Sequence, residues 1–377
     1  MTSIEKGASD ILAQLVEQTR AVPTFAAAVM VEGRIVLEHN ADRPLCGCST
    51  LKVAAATAVM TIVQDGSVDL DRAVVSYDKS LKFSDVRAGE QITIRQLLSH
   101  TSGLSDTEKV EPDPRGCLPD IGFVARPGRA FHYSNVAFDI GVLTASRAAG
   151  LCEQDFLRAR VLDPLAMHDT KTLRDRAYGV PFTTARDLMQ LAQEHLGGNR
   201  LLREQTLAEM HRIHADSYTA LPGRYYGLGI GIEHFADRTM ISHGGGLDHY
   251  GTAFLIDPAA CAAVALLFDN PAGYTVSAHA ILDRIFDRHT SAKPDRPGTT
   301  DWRPYIGRYS NGAELLSVND QLKVRWKDKE HALEPIDERL YASKKDGVSL
   351  GLLEGSPTMI SVNDFILIGA SPGVRID

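Results

Sequence analysis

Ser49-Thr50-Leu51-Lys52-Val53-Ala54-Ala55-Ala56-Thr57-Ala58-Val59-Met60-Thr61-Ile62-Val63 is the stretch on which the fold turns. Rich in Ala, Val and Met and free of breakers, it predicts a helix opening at about Ser49. The helix should end near Asp65-Gly66, where glycine supplies a left-handed C-cap. Ser49 and Lys52, three apart, then share one helix face. At a helix N-terminus the positive dipole end and the backbone N–H groups lower the cost of a developing negative charge. A lysine whose pKa falls on desolvation can take the serine proton. Ser-x-x-Lys occurs at Ser3…Lys6, Ser49…Lys52 and Ser76…Lys79. Ser3 lies in the terminus and Ser76 in a polar stretch with no evident helix. Only Ser49 opens a long apolar helix after a strand-and-turn region, so Ser49 is the candidate nucleophile.

Outward from this helix, Phe25 to Val31 and Arg34 to Glu38 read as strands of a hairpin turning at Glu32-Gly33. Residues 4–20 carry Ile11, Leu12, Leu15 and Val16 at helical spacing. From about 67 to 225 the pattern is mainly helical: Thr93 is an N-cap for Ile94 to Leu98, and Val136 to Ala149, Gln154 to Val161 and Thr184 to Leu196 follow. Tyr226 to His234, Met240 to Ser242, Gly251 to Ile256 and Ala262 to Phe268 read as strands, and Thr275 to Arg288 as a last helix. The expected architecture is α/β of the α+β type, an antiparallel sheet completed by both ends of this region and flanked by helices. It gives a catalytic domain over 1–290 with a helical subdomain at about 67–225. A polar, Pro-containing linker covers 291–300, and a small β-rich module covers 301–377, with strands at Leu315–Val318, Leu322–Trp326, Val348–Leu353, Met359–Val362 and Phe365–Ile368.

The chain of 377 residues has 44% apolar and 23% charged residues and a net charge of −8, as in soluble globular proteins. It has no basic stripe, which argues against nucleic acid as a partner. No apolar run reaches the roughly 20 residues of a membrane span. Met1-Thr2-Ser3-Ile4-Glu5-Lys6 lacks the plan of a signal peptide, so a cytoplasmic enzyme without membrane partners is expected. Five cysteines (Cys46, Cys48, Cys117, Cys152 and Cys261) cannot all pair. Cys46 and Cys48 suggest a metal clip, but no second Cys/His pair has matching zinc spacing. Reduced thiols are expected, with no metal and no cofactor.

Two further elements carry chemistry. Tyr133-Ser134-Asn135 precedes an apolar helix; a tyrosine there can shuttle a proton between serine and leaving group, and Asn135 can donate to a substrate carbonyl. Taken alone, the triplet also reads as a buried tyrosine with an asparagine cap, and Tyr-x-Asn recurs at Tyr309-Ser310-Asn311. His243-Gly244-Gly245-Gly246 closes an expected strand. Its glycines permit close approach of a substrate and leave N–H groups for an oxyanion hole, although a lone strand histidine is more often structural.

Ser49-x-x-Lys52, Tyr133-x-Asn135 and His243-Gly-Gly, in that order and roughly 80 and 110 residues apart, together resemble the class C β-lactamase-related family. That family includes penicillin-binding-protein-like enzymes, D-aminopeptidases, esterases and transesterases, and its Ser-x-x-Lys pattern is a known signature of such enzymes. Val63 to Asp71, Ile92 to Leu104 with its His100-Thr101-Ser102-Gly103, Pro127-Gly128-Arg129 and Thr183 to Leu188 match as well, so the resemblance spans about 10–290. It implies a β-lactamase/transpeptidase-like fold. It also implies that Ser49 forms an acyl-enzyme, that Lys52 and Tyr133 handle protons, that Asn135 holds a substrate carbonyl, and that the N–H groups of Ser49 and Gly246 form the oxyanion hole. Gly244 and Gly245 line the substrate, and His243 takes the place where the lactamases carry lysine. Losing that cation weakens carboxylate recognition and points away from β-lactamase activity.

The expected function is therefore that of a serine hydrolase acting on an ester or amide bond of a small molecule or short peptide, as an esterase or D-amino-acid-type peptidase. The alternative is an acyltransferase, a transesterase or peptide-cyclising thioesterase, using the same acyl-enzyme. A non-catalytic binding protein is the remaining reading. His132 and His249 lie near motif residues. The stretch 105–121 reads as a substrate-facing loop.

Overall fold

The computed structural model describes residues 7, 10–11, 25–106, 121–171, 181–217, 224–235, 238–247, 250–269, 278–288, 300–309, 312–335, 340–343, 348–353, 359–362 and 365–368. Most of the expected helix at 4–20, the linker at 291–299, most of the loop at 105–121, the Ser3 pattern, Cys117 and His249 lie outside them. In chain order the principal helices are α1 (Leu51–Gln64), α2 (Ile94–Leu98), α3 (Asn135–Ala148), α4 (Glu153–Leu157), α5 (Ala185–Gln193), α6 (Glu204–His211) and α7 (Ala278–Ile285). The chain divides into two compact units, residues 1–69, 145–212 and 227–291 forming the first and 70–144, 213–226 and 292–377 the second.

The first unit is built on strands β1 (Phe25–Val31), β2 (Arg34–His39), β3 (Gly231–His234), β4 (Thr239–Leu247), β5 (Tyr250–Asp257) and β6 (Ala262–Phe268). They run in the spatial order β2-β1-β6-β5-β4-β3. Strand β1 pairs antiparallel with β6 from Phe25↔Phe268 to Val31↔Ala262. The early strand thus fills a place beside the last one, as the apolar runs at both ends of the region led one to expect. Both strands are buried throughout, which explains why they read as continuous apolar runs rather than as alternation. Phe25, Val29, Leu266 and Phe268 pack with Ile281, Leu282 and Ile285 of α7. On the other face, Ala26, Ala28, Ala263 and Ala265 are buried, and α5 packs against β1 and β6.

The expected single strand Tyr226 to His234 divides, with Arg224–Tyr226 and β3 on either side of a turn in which Gly227 N–H donates to Ile230 O at 2.8 Å. A Cβ at Gly227 would lie 2.4 Å from Met210 O, so glycine is required there. Helix α1 is buried along most of its 14 residues. Gly66, at φ +76, turns the chain out of it. Thr184 caps α5 by accepting the Asp187 N–H at 3.0 Å, and Asp187 in turn accepts from Thr170 Oγ1 at 2.7 Å and Asp169 N at 3.1 Å. The Thr183 to Leu188 motif is thereby accounted for as a joint in the scaffold.

In the second unit, Thr93 and Gln96 form a reciprocal capping box at the start of α2, as the sequence predicts. Arg95 makes a bidentate pair with Asp71, at 2.6 and 2.7 Å. Gly103, at φ +72, leaves no room for a side chain, since a Cβ would lie 2.2 Å from Ala125 O. After residue 300 the strands form two antiparallel sheets. One contains Gly307–Arg308, Glu314–Val318, Gln321–Trp326 and Lys329–Ala332; the other contains Glu334–Pro335, Leu340–Ser343, Val348–Leu353, Met359–Val362 and Phe365–Ile368. The five strands expected there are present, together with Gly307–Arg308, Lys329–Ala332, Glu334–Pro335 and Leu340–Ser343, which were not expected. Asn319-Asp320 and Lys327-Asp328 all have positive φ, the backbone of tight hairpin turns. Leu315, Leu322, Val324, Leu350 and Leu352 share a core.

A polar chain crosses the interior of the first unit. Thr57 of α1 donates to Val53 O at 2.8 Å, so its oxygen is left to accept from His195 Nε2 at 3.1 Å. His195 Nδ1 then accepts from His211 Nε2 at 2.8 Å. Burial holds the His211 imidazole down at about 4, and burial and the neighbouring His211 hold His195 well below its ordinary value. Both are neutral in the fold and protonate more readily in the unfolded chain. Their stabilisation is therefore complete above about pH 6.5 and is lost as pH falls towards 4. We expect His211 alone to cost on the order of 2 kcal/mol between pH 7 and pH 5. Urea unfolding at the two pH values checks this; in His211→Gln, which can still donate to His195, the dependence should flatten by that amount.

Candidate active site

Ser49 lies in a 3-10 turn, Cys48–Thr50, that runs directly into α1. The helix thus starts two residues later than the sequence suggests, with Ser49 in the tighter turn before it. Thr50 ties this turn down by donating through both N (3.1 Å) and Oγ1 (2.5 Å) to Gly47 O. Cys48 takes a left-handed conformation, φ 44, and its thiol donates to Cys46 Sγ at 3.4 Å. That contact and burial push the Cys48 thiol up, which makes it a poor thiolate. Among the described residues no three His, Cys, Asp or Glu side chains are grouped to hold a metal ion.

Lys52, one turn on, points back along the same face, and its Nζ donates to Ser49 Oγ at 3.4 Å. Both side chains are half-buried. The 3-10 turn packs against β4 and β5. In that register Gly245 pairs with Thr252 and Gly246 with Gly251. The His243-Gly244-Gly245-Gly246 run therefore sits within β4, which is longer than the expected Met240 to Ser242. A Cβ on Gly245 would lie 2.5 Å from Thr252 Oγ1, 2.6 Å from Cys48 Cβ and 2.7 Å from the Ser49 nitrogen. The glycine is what lets the strand come up to the Ser49 amide.

His243 is buried, and its Nδ1 donates to Gly244 O at 2.6 Å, leaving Nε2 without that proton. Burial, reinforced by the charge of Lys52, holds the imidazole at about 4. At neutral pH the third motif therefore contributes a neutral ring, not a cation. Ser242 points to the opposite face, where its hydroxyl and His279 Nε2, the latter at 2.6 Å, share the buried carboxylate of Glu233. That cluster anchors β4 to β3 and α7 from behind.

The first unit thus brings Ser49, Lys52, His243 and Gly244 to Gly246 together. Tyr133 and Asn135 belong to the second unit. There Tyr133 is half-buried in a cluster with His100 and Tyr226, with ring centroids at 4.2 and 6.5 Å. Asn135 is exposed and opens α3. The cap of α3 is not Asn135: Ser134 Oγ accepts from Ala137 N at 3.0 Å and Asp106 from Val136 N at 3.1 Å. Asp106 also accepts from Asn135 Nδ2 at 3.1 Å. Sequence reading missed Asp106, because an acid 29 residues upstream carries no local signal of that contact. His132 is buried, and burial lowers it to about 4.

We expect Gly245→Ala to destabilise the fold by about 1–3 kcal/mol, the range for overpacking. A melting curve checks this; parent-like stability would show that β4 can retreat from Ser49. Gly244→Ala, with nothing nearer than Thr252 O at 3.9 Å, should be close to neutral.

Comparison with known proteins bears on the fold and the family. Penicillin-binding protein 4 of Amycolatopsis lactamdurans is 28% identical over 197 residues, 47% of this chain and 49% of that protein; the matched stretch is thus about half the length of that relative. The structure of SurE with D-Leu superposes with a TM-score of 0.75 over 98% of this chain and 100% of that one, at 19% identity. A class C beta-lactamase mutant superposes with a TM-score of 0.60 over 74% and 97%, at 16% identity. These are likenesses of fold, and the fold is the β-lactamase/transpeptidase-like one, an antiparallel sheet with helices. The model of the Beta-lactamase family matches residues 12–283, well over half of the sequence, and the chain belongs to that family.

Proposed function

We propose that this chain is a serine hydrolase that works through an acyl-enzyme on an ester or amide bond. The observation that carries the reading is the pairing of Ser49 Oγ with Lys52 Nζ at 3.4 Å at the head of a buried helix, with the glycine strand drawn up to the Ser49 amide. Ser49 Oγ bonds to the acyl carbon as its proton passes to the uncharged form of Lys52, the form in which the amine can accept it. The N–H groups of Ser49 and Gly246 receive the oxyanion. Tyr133 gives its proton to the leaving group as the acyl bond breaks and is reprotonated by the one Lys52 took up, and Asn135 donates to a substrate carbonyl. Water then adds to the acyl carbon, the bond to Ser49 Oγ breaks, one water proton returns to Oγ, and the acid product leaves.

The neutral His243 supports a substrate whose carboxylate is absent or capped, because a neutral ring lacks the charge-assisted bond that a cation would make. SurE, of the same fold, was solved with D-Leu, which supports a D-configured residue beside the scissile bond. Together these favour an esterase or D-amino-acid-type amidase over a β-lactamase.

Incubation with p-nitrophenyl butyrate and D-alanine p-nitroanilide, with intact mass recorded, tests the reading. The parent should show an acyl adduct and turnover, and Ser49→Ala should lose the adduct and at least about 10³-fold in kcat. An unchanged Ser49→Ala would sink the assignment. An adduct that clears only on addition of an amine or alcohol would replace hydrolysis by acyl transfer.

His243→Lys should raise kcat/KM about tenfold for peptides with a free C-terminal carboxylate relative to their amides, the size of one charge-assisted bond. No change in that ratio would remove His243 from substrate recognition. Because His243 titrates at about 4, the parent kcat/KM should show no limb from it between pH 5 and pH 8.

A further inference from the structure

The stretch His100-Thr101-Ser102-Gly103-Leu104-Ser105-Asp106 performs no step in this reaction, yet within the second unit it holds every residue of Tyr133-Ser134-Asn135. The His100 ring lies against that of Tyr133, with centroids 4.2 Å apart and planes at 30°. Its other neighbours are Tyr226, Phe131 and Phe138, at 5.0, 5.7 and 6.0 Å. His100 Nδ1 accepts the Ser134 N–H at 3.1 Å, so that nitrogen carries no proton and the ring is neutral, with its hydrogen on Nε2. The His100 carbonyl accepts the His132 N–H at 2.8 Å, and Ser105 O accepts from Ser134 Oγ at 3.1 Å. The two carboxylate oxygens of Asp106 take the Asn135 amide and the Val136 N–H, each at 3.1 Å.

This cradle is held in an unfavourable backbone state. His100 has φ 56, a left-handed conformation that is unfavourable for a non-glycine residue. Thr101 O and Gly103 O anchor it by accepting from Gly128 N and Val124 N at 2.7 and 2.8 Å. The chemistry says why such a hold would be useful. A tyrosine that passes protons loses efficiency steeply when its hydroxyl drifts by a fraction of an ångström. An amide can present either its oxygen or its nitrogen, but a carboxylate accepts only, so Asp106 admits only the nitrogen side of Asn135.

We propose that His100 and Asp106 are positioning residues for the acyl-transfer reaction, His100 setting the ring of Tyr133 and Asp106 the amide of Asn135. The proposal rests on the assignment of Tyr133 and Asn135 to the reaction of Ser49. His100→Gln keeps an acceptor for Ser134 and removes the ring; His100→Asn, a better left-handed residue, replaces it if the first fails to fold. Protein labelled with 3-fluorotyrosine gives a fluorine resonance for Tyr133, identified by its loss in Tyr133→Phe. That resonance should move in the His100 variant while most others stay. With p-nitrophenyl butyrate, kcat should fall about tenfold with KM within twofold, and adding the His100 change to Tyr133→Phe should cost nothing more. Asp106→Asn still accepts from Val136 but turns a donor on Asn135. It should keep the parent melting temperature and raise KM for D-alanine p-nitroanilide several-fold.

An unmoved Tyr133 resonance, additive kcat losses, or a parent-like KM in Asp106→Asn would overturn the cradle. Loss of activity in Tyr133→Phe beside a parent-like His100→Gln overturns the role of His100 alone. Parent-like activity in Tyr133→Phe itself overturns the assignment of Tyr133, and with it the catalytic meaning of the cradle.

Discussion

The closeness of Gly245 to the Ser49 nitrogen is the constraint on which the first unit's site depends. A side chain would have to occupy space within 2.7 Å of that nitrogen and 2.6 Å of Cys48 Cβ. Only a bare strand lets a helix head and a sheet meet so tightly, and the meeting aligns β4 so that Gly246 follows in the same register. Everything else braces this contact. Thr50 folds the turn back on Gly47, Thr252 lies across from Gly245, and the Glu233 cluster pins the other face of the strand. The buried pair β1 and β6 gives the sheet its rigidity.

Burial also decides the charge state of this interior. His195, His211 and His243 lose water, and each stays neutral where an exposed imidazole would begin to charge. For His195 and His211 this ties α1 to α6 through a chain of neutral donors and acceptors. For His243 it replaces a permanent cation with a ring that can only accept or donate one hydrogen bond. The same desolvation that makes the fold lose stability as pH falls thus leaves the third motif uncharged at neutral pH.

The second unit uses its polar groups differently. There Ser134 and Asp106 satisfy the first N–H groups of α3, work that one of the two sequence readings of the triplet gave to Asn135. Asn135 itself is exposed and donates to Asp106.

The sequence by itself determined the elements whose signals are local: α1 from its unbroken apolar run, β1 and β6 from theirs, the Thr93 cap from its Gln96 partner, and the Ser49-Lys52 face from helical spacing. Their ordered combination with Tyr133-x-Asn135 and His243-Gly-Gly identified the family. Tertiary structure alone decided the break at Gly227, where Met210 O approaches from 17 residues upstream, and the extension of β4 through its glycines, where pairing with β5 outweighs poor strand propensity. It alone decided the partners of Asp106 and His100, and the neutrality of His243. Each of these rests on atoms distant in the chain, and desolvation and close approach are properties of the packed surroundings that no local stretch of residues encodes.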